Sequence, residues 1–157
     1  NLIMVMEVER KYLVLELQGV TLGEGLEIDQ GYLASVPLTV RVRTKGSHAF
    51  LTIKGPSTLA GGGGGALSRP EFEYEIPVTD AQALLELATA RLQKIRHTLP
   101  GGVEIDIFHG RHGGLILAEF ESPDGAQPAP IPGIRWIEVT ADPRYSNSWI
   151  AKNGIPE

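Results

Sequence analysis

The sequence predicts an α+β fold: an antiparallel sheet of eight strands, closed or nearly closed into a barrel with a polar, charged lumen and helices packed outside. Three observations lead there. Eight segments alternate at the two-residue period of a strand, mostly with short connections, and closure disposes of the unpaired edges of such a sheet. On nearly every segment one alternate face is charged and the other is largely Val, Ile, Leu, Phe or Tyr. The 157 residues suit one domain, expected to span 1–157.

The segments are residues 5–14, 38–43, 49–54, 71–76, 94–98, 103–108 and 115–121, with 136–140 weaker. One helix lies between the fourth and fifth. Thr79 is placed to cap it with Gln82 three residues on, and Leu84, Leu85, Ala88, Leu92 and Ile95 recur on one face. A shorter helix is expected after Pro143 or Tyr145. Stretches rich in Gly and Pro at 19–25, 56–68, 110–114 and 122–133 read as loops. The glycine run at 61–65 lacks the Lys-Ser/Thr of a phosphate loop and leads into a strand, so it reads as a flexible hairpin connection.

Composition narrows the function classes. Absence of cysteine excludes disulfides, thiolate metal sites and thiol catalysis, so a metal must bind through oxygen or imidazole. A net charge of −5 argues against a general nucleic-acid binder, so an anion site must be local and concentrated. The apolar run at 2–6 is too short for a signal core or a membrane span, and a cytoplasmic protein with no membrane partner is the expectation.

The faces carry the chemistry. Residues two apart in a strand share a face, which groups Glu7 with Glu9 and Lys11, Arg41 with Arg43, and Thr52 with Lys54. It also groups Glu71 with Glu73 and Glu75, Lys94 with Arg96, Glu104 with Asp106, and Glu119 with Glu121. A merely solvated face would tend to intersperse signs, whereas like charges two apart repel unless a counter-charge binds. Carboxylates bind hard divalent cations, and Lys and Arg bind phosphate oxygens. A triphosphate with Mg²⁺ or Mn²⁺ supplies both partners, with the charged faces pointing into the barrel.

Glu7-Val8-Glu9-Arg10-Lys11 resembles the ExExK signature of the CYTH domain, the triphosphate tunnel metalloenzyme family. Gln30-Gly31-Tyr32-Leu33, Arg41-Val42-Arg43, Thr52-Ile53-Lys54-Gly55, Arg69-Pro70-Glu71-Phe72-Glu73, Lys94-Ile95-Arg96, Glu104-Ile105-Asp106-Ile107-Phe108 and Glu119-Phe120-Glu121 follow in the order of its small bacterial branch. The tail from Glu138 to Asn147 is also similar, so the resemblance spans roughly residues 5 to 150.

It implies a tunnel in which Glu7, Glu9, Glu119 and Glu121 hold metal, with Glu71 and Glu73 for a second metal or the attacking water. Lys11, Arg41, Arg43, Lys54, Arg69, Lys94 and Arg96 would cradle phosphates, and Tyr32, Lys94 and Glu73 would act nearest the scissile bond. Glu104 and Asp106 are expected to position the arginines, Glu75 to be less involved, His109 and His112 to lie on the surface, and Trp136 and Trp149 to pack. The activity implied is metal-dependent hydrolysis of a triphosphate, inorganic tripolyphosphate first. Nucleotide or thiamine triphosphate hydrolysis, adenylyl cyclisation and non-catalytic polyphosphate binding stay open at this point, as does a homodimer.

Overall fold

The computed structural model describes residues 5–59 and 65–157. Its strands are β1 (Met6–Leu17), β2 (Leu26–Ala34), β3 (Thr39–Lys45), β4 (His48–Lys54), β5 (Thr58–Leu59), β6 (Leu67–Glu75), β7 (Ala90–Thr98), β8 (Glu104–His109), β9 (Ile116–Glu121) and β10 (Ile134–Glu138). The helices are α1 (Val78–Leu87) and α2 (Asn147–Asn153). Most of the apolar run at 2–6 and of the glycine run at 61–65 lies outside the described residues; β5 and β6, which flank the latter, pair antiparallel through Thr58↔Ser68 and Leu59↔Leu67.

Antiparallel pairing runs β1-β9-β8-β7-β2-β3-β4-β6, and β6 returns to β1 from Met6↔Pro70 to Glu9↔Leu67, closing an eight-stranded barrel. The 12-residue β1 serves three partners, β6 at its start, β9 in its middle and β10 at its end. β5 and β10 extend the sheet outside the ring.

Seven of the ring strands match predicted segments; the eighth, β2, falls on residues assigned no strand. The weak segment at 136–140 corresponds to β10, which ends at Glu138 and lies outside the ring. β2 escaped the charge pattern because its carboxylates point outward. Ile28 pairs with Lys94 and Lys45, and Gln30 with Arg43 and Leu92, so Ile28, Gln30 and Tyr32 face the lumen while Glu27 and Asp29 face away. Gly31 also interrupts its strand character, for a steric reason: a Cβ there would lie 2.6 Å from Ala88 Cβ, where the chain leaving α1 crosses β2.

α1 differs in both ends from the prediction. It begins at Val78 after Pro77, with no side-chain cap, so Thr79 is inside the first turn and does not cap it. It ends at Leu87, so Leu92 and Ile95 belong to β7, where an odd spacing puts them on opposite faces. Ala81 and Leu85 seat α1 outside the barrel with Val42 and Ala49.

α2 does not pack outside. Its Ile150 and Ala151 are buried among Tyr32, Leu92, Phe108, Leu115 and Leu117. Register puts Tyr32, Leu92, Phe108 and Leu117 on the face shared with Gln30, Arg41, Lys94 and Asp106, so α2 plugs an apolar end of the lumen. A third apolar layer, with Tyr12 stacked on Trp136 at 4.5 Å between ring centroids, covers the outside of β1, β8 and β9.

Candidate active site

The cavity inside the barrel encloses about 300 Å³, and every candidate site residue named from the sequence lines it. Strand register explains this without side-chain detail: Glu9 lies opposite Glu121, Lys11 opposite Glu119, Arg96 opposite Asp106, Arg41 opposite Thr52, Thr52 opposite Glu73, and Lys54 opposite Glu71. The wall adds Thr39, Lys45, Glu104 and, from the plug, Ser146, Asn147 and Ser148.

Buried charges are costly unless paired, and most of these are. Glu7 bonds Lys54 at 2.9 Å and Arg69 at 3.1 Å. Burial opposes its ionisation, but those two cations outweigh it and hold the carboxyl at about 2. Asp106, 0% exposed, takes Lys94 at 2.6 Å and Arg96 Nε at 2.7 Å; against burial they keep its pKa below the usual value. Arg96 reaches Glu119 at 3.1 Å and Lys11 lies 3.6 Å from the same carboxylate, which stays far below the usual range despite burial. Asp106 thus organises Lys94 and Arg96, as expected of a positioning group.

Some charges of each sign are left over. Among the described residues, Glu9 and Glu121 have no base within ion-pair distance. Burial, with Glu119 and Glu7 beside it, pushes Glu9 up to about 7. Burial and then Glu7, Glu9 and Glu119 push Glu121 up to about 7 as well. One carboxylate oxygen from each of Glu7, Glu9 and Glu121 falls within 4.8 Å of the others, a donor set suited to a hard divalent cation. On the other side Arg43 is buried with its Nε on Gln30 Oε1 at 2.9 Å and, among the described residues, no carboxylate partner. Burial, then the nearby Arg41 and Arg96, lower its pKa to about 9.

Lys94 is the most enclosed cation. It donates to Asp106 and Asn147 and lies 5.5 Å from the Phe108 ring centre. Burial, only partly offset by Asp106, brings it down to about 7. Glu73 stands at the more open side, accepting from Thr52 Oγ1 at 2.9 Å and Arg41 at 3.5 Å. Glu75 instead pairs with the exposed His48.

Two expectations on histidine divide. His109 is exposed, but His112 is buried, because α2 lies over it and its Nε2 donates to the Ile150 carbonyl at 3.0 Å. Gln30, Thr52 and Asn147 escaped the sequence reading as site residues. The available signal was spacing: Gln30 is two residues from Tyr32 and Thr52 two from Lys54. Asn147 carried no charge or strand pattern, only its place at the end of the tail that resembles the family.

The CYTH domain model matches residues 6–129. The chain belongs to the CYTH domain family. An inorganic triphosphatase of Acetivibrio thermocellus is 38% identical over 155 residues, covering 94% of each chain. Another from Nitrosomonas europaea is 35% identical over 154 residues, covering 92% of this chain and 96% of the relative. The crystal structure of an inorganic triphosphatase superposes with a TM-score of 0.63 at 33% identity, over 98% of this chain and 99% of the other. CYTH membership spans β1 to the loop after β9, the stretch that supplies the ring; the plug α2 lies beyond it.

Proposed function

We propose that this CYTH protein is a divalent-metal-dependent triphosphatase that cleaves inorganic tripolyphosphate to pyrophosphate and orthophosphate. The observation carrying this is the charge left over inside the barrel. Among the described residues, acids without bases at Glu9 and Glu121 call for a cation, and a base without an acid at Arg43 calls for an anion. A metal–triphosphate complex answers both in one cavity. Both curated relatives are named inorganic triphosphatases, which supports this reading.

Glu7, Glu9 and Glu121 fit Mg²⁺ or Mn²⁺, since both are hard ions that take carboxylate oxygen and would relieve the repulsion that raises Glu9 and Glu121. Bound there, such an ion neutralises charge on phosphate oxygens. The chain's own groups do the positioning. Arg43, Arg41 and Arg96 present donors to phosphate oxygens, and Lys94 and Lys11 add charge deeper in the cavity. Glu73, held by Thr52 and Arg41, orients a water toward the terminal phosphorus and accepts its proton as the anhydride bond breaks.

The test is a panel of tripolyphosphate, ATP and thiamine triphosphate with Mg²⁺, Mn²⁺ or EDTA, assayed for orthophosphate and cyclic AMP. Orthophosphate from tripolyphosphate, fastest among the three and abolished by EDTA, is expected. Cyclic AMP as the main product, or metal-independent binding without turnover, would overturn the assignment.

A further inference from the structure

Two amides in the lumen wall have no part in that mechanism, yet their neighbours fix how each is turned. Arg43 Nε lies 2.9 Å from Gln30 Oε1, and an arginine nitrogen only donates, so the Gln30 carbonyl faces Arg43. The Gln30 amide nitrogen then donates to the Tyr32 hydroxyl at 2.8 Å and to Asn147 Oδ1 at 3.3 Å. The Gln30 amide nitrogen only donates, so it is the Asn147 oxygen that faces Gln30, and Lys94 Nζ donates to that same oxygen at 2.9 Å. Hydrogen-bond polarity therefore runs one way, from Arg43 through Gln30 to Tyr32.

The consequence falls on Tyr32. Its oxygen accepts from Gln30, and its own hydrogen has no acceptor among the described residues. Its ring is held in the apolar cluster under α2, and Tyr32 also lines the cavity. A buried hydroxyl normally has its hydrogen bonded, and the direction left is the cavity.

We infer that Gln30, tied to α2 through Asn147, is a positioning residue that sets the Tyr32 hydroxyl as a hydrogen-bond donor to a phosphate oxygen. This rests on the triphosphatase reading. A fixed donor aimed at an oxygen that gains charge during cleavage stabilises that charge without reorganising. Turning the amide into a carboxylate reverses the polarity, because Gln30→Glu offers only acceptors and the phenol hydrogen turns back toward it. Asn147→Asp adds the same charge nearby but leaves Gln30 donating to Tyr32.

The experiment is a double-mutant cycle on tripolyphosphate affinity, by calorimetry in EDTA, with turnover in Mn²⁺ measured on the same proteins. Tyr32→Phe alone is expected to weaken binding by ~10-fold or more, the loss of a bond to a charged group. In the Gln30→Glu background the same substitution should cost less than about twofold, and in the Asn147→Asp background its full penalty should persist. If Gln30→Glu does not fold, Gln30→Met replaces it, and the Tyr32→Phe penalty should again shrink below that in the unaltered protein. An equal Tyr32→Phe penalty in every background overturns the polarity inference alone. A parent protein that neither binds nor hydrolyses tripolyphosphate overturns the triphosphatase reading and this inference with it.

Discussion

Arg43 shows at single-residue scale why the cavity needs a ligand. It is a buried guanidinium whose Nε rests on a neutral amide, and burial has lowered its pKa to about 9. Removing an uncompensated buried charge often stabilises a protein. Arg43→Met should therefore leave the melting temperature unchanged or higher while weakening tripolyphosphate binding by ~10–100-fold, the span of one charged hydrogen bond. Calorimetry and thermal melts check both arms; lower stability with retained affinity contradicts the assignment. Glu9→Gln is the acid counterpart, with turnover expected to fall ~10²-fold or more while the metal-free protein gains stability. Its retention of near-normal rate would remove Glu9 from the metal site. At this scale much was legible, because charge type and even spacing survive in one dimension. The pairing was not: nothing local to Asp106 shows that it takes both Lys94 and Arg96, nor that Arg43 is left with a glutamine.

Elements carry the next level. α2 is seven residues long and marginal by itself, so its stability comes from Ile150 in the apolar end of the barrel. Ile150→Ala should cost ~2–5 kcal/mol in denaturant unfolding, against ~0.5 kcal/mol or less for Leu87→Ala on the exposed side of α1. Because α2 delivers Asn147 to Lys94, Ile150→Ala should also lower turnover, and full activity after that loss of stability would mean that the plug is only structural. The strands with inward charge were readable. β2 was not, since its inward face is Ile28, Gln30 and Tyr32 while Asp29 points out to pair with Arg91. The helical pattern that ran on through Leu92 and Ile95 was a coincidence of spacing, and only packing separates α1 from β7. The burial of His112 likewise depends on a contact 38 positions away.

For the whole molecule, the cavity sets how stability responds to pH. Glu9 and Glu121 are raised from 4.5 to about 7, so between those values the folded state binds more protons than the unfolded one and stability falls as pH rises. Glu7, Glu119 and Asp106 are lowered, and their contribution is lost as pH falls below the ordinary carboxylate range. Lys94, lowered to about 7 from 10.5, is charged in both states below 7 and adds no slope there. In EDTA the melting temperature should thus decline from near pH 4.5 toward 7, and added Mn²⁺ should reverse the decline. A metal-free melting temperature that rises steadily across that window would show that Glu9 and Glu121 are not crowded carboxylates. Barrel closure, readable as many short alternating strands, is what converts separate charged faces into one electrostatic unit.

The most direct test is a crystal structure with Mn²⁺ and tripolyphosphate, the metal located by its anomalous scattering. An anomalous peak coordinated by Glu9, Glu121 and Glu7 is expected, with phosphate oxygens on Arg43 and the chain of three phosphorus atoms inside the barrel. A metal held elsewhere, or a tripolyphosphate bound outside the cavity with Arg43 untouched, would contradict the assignment.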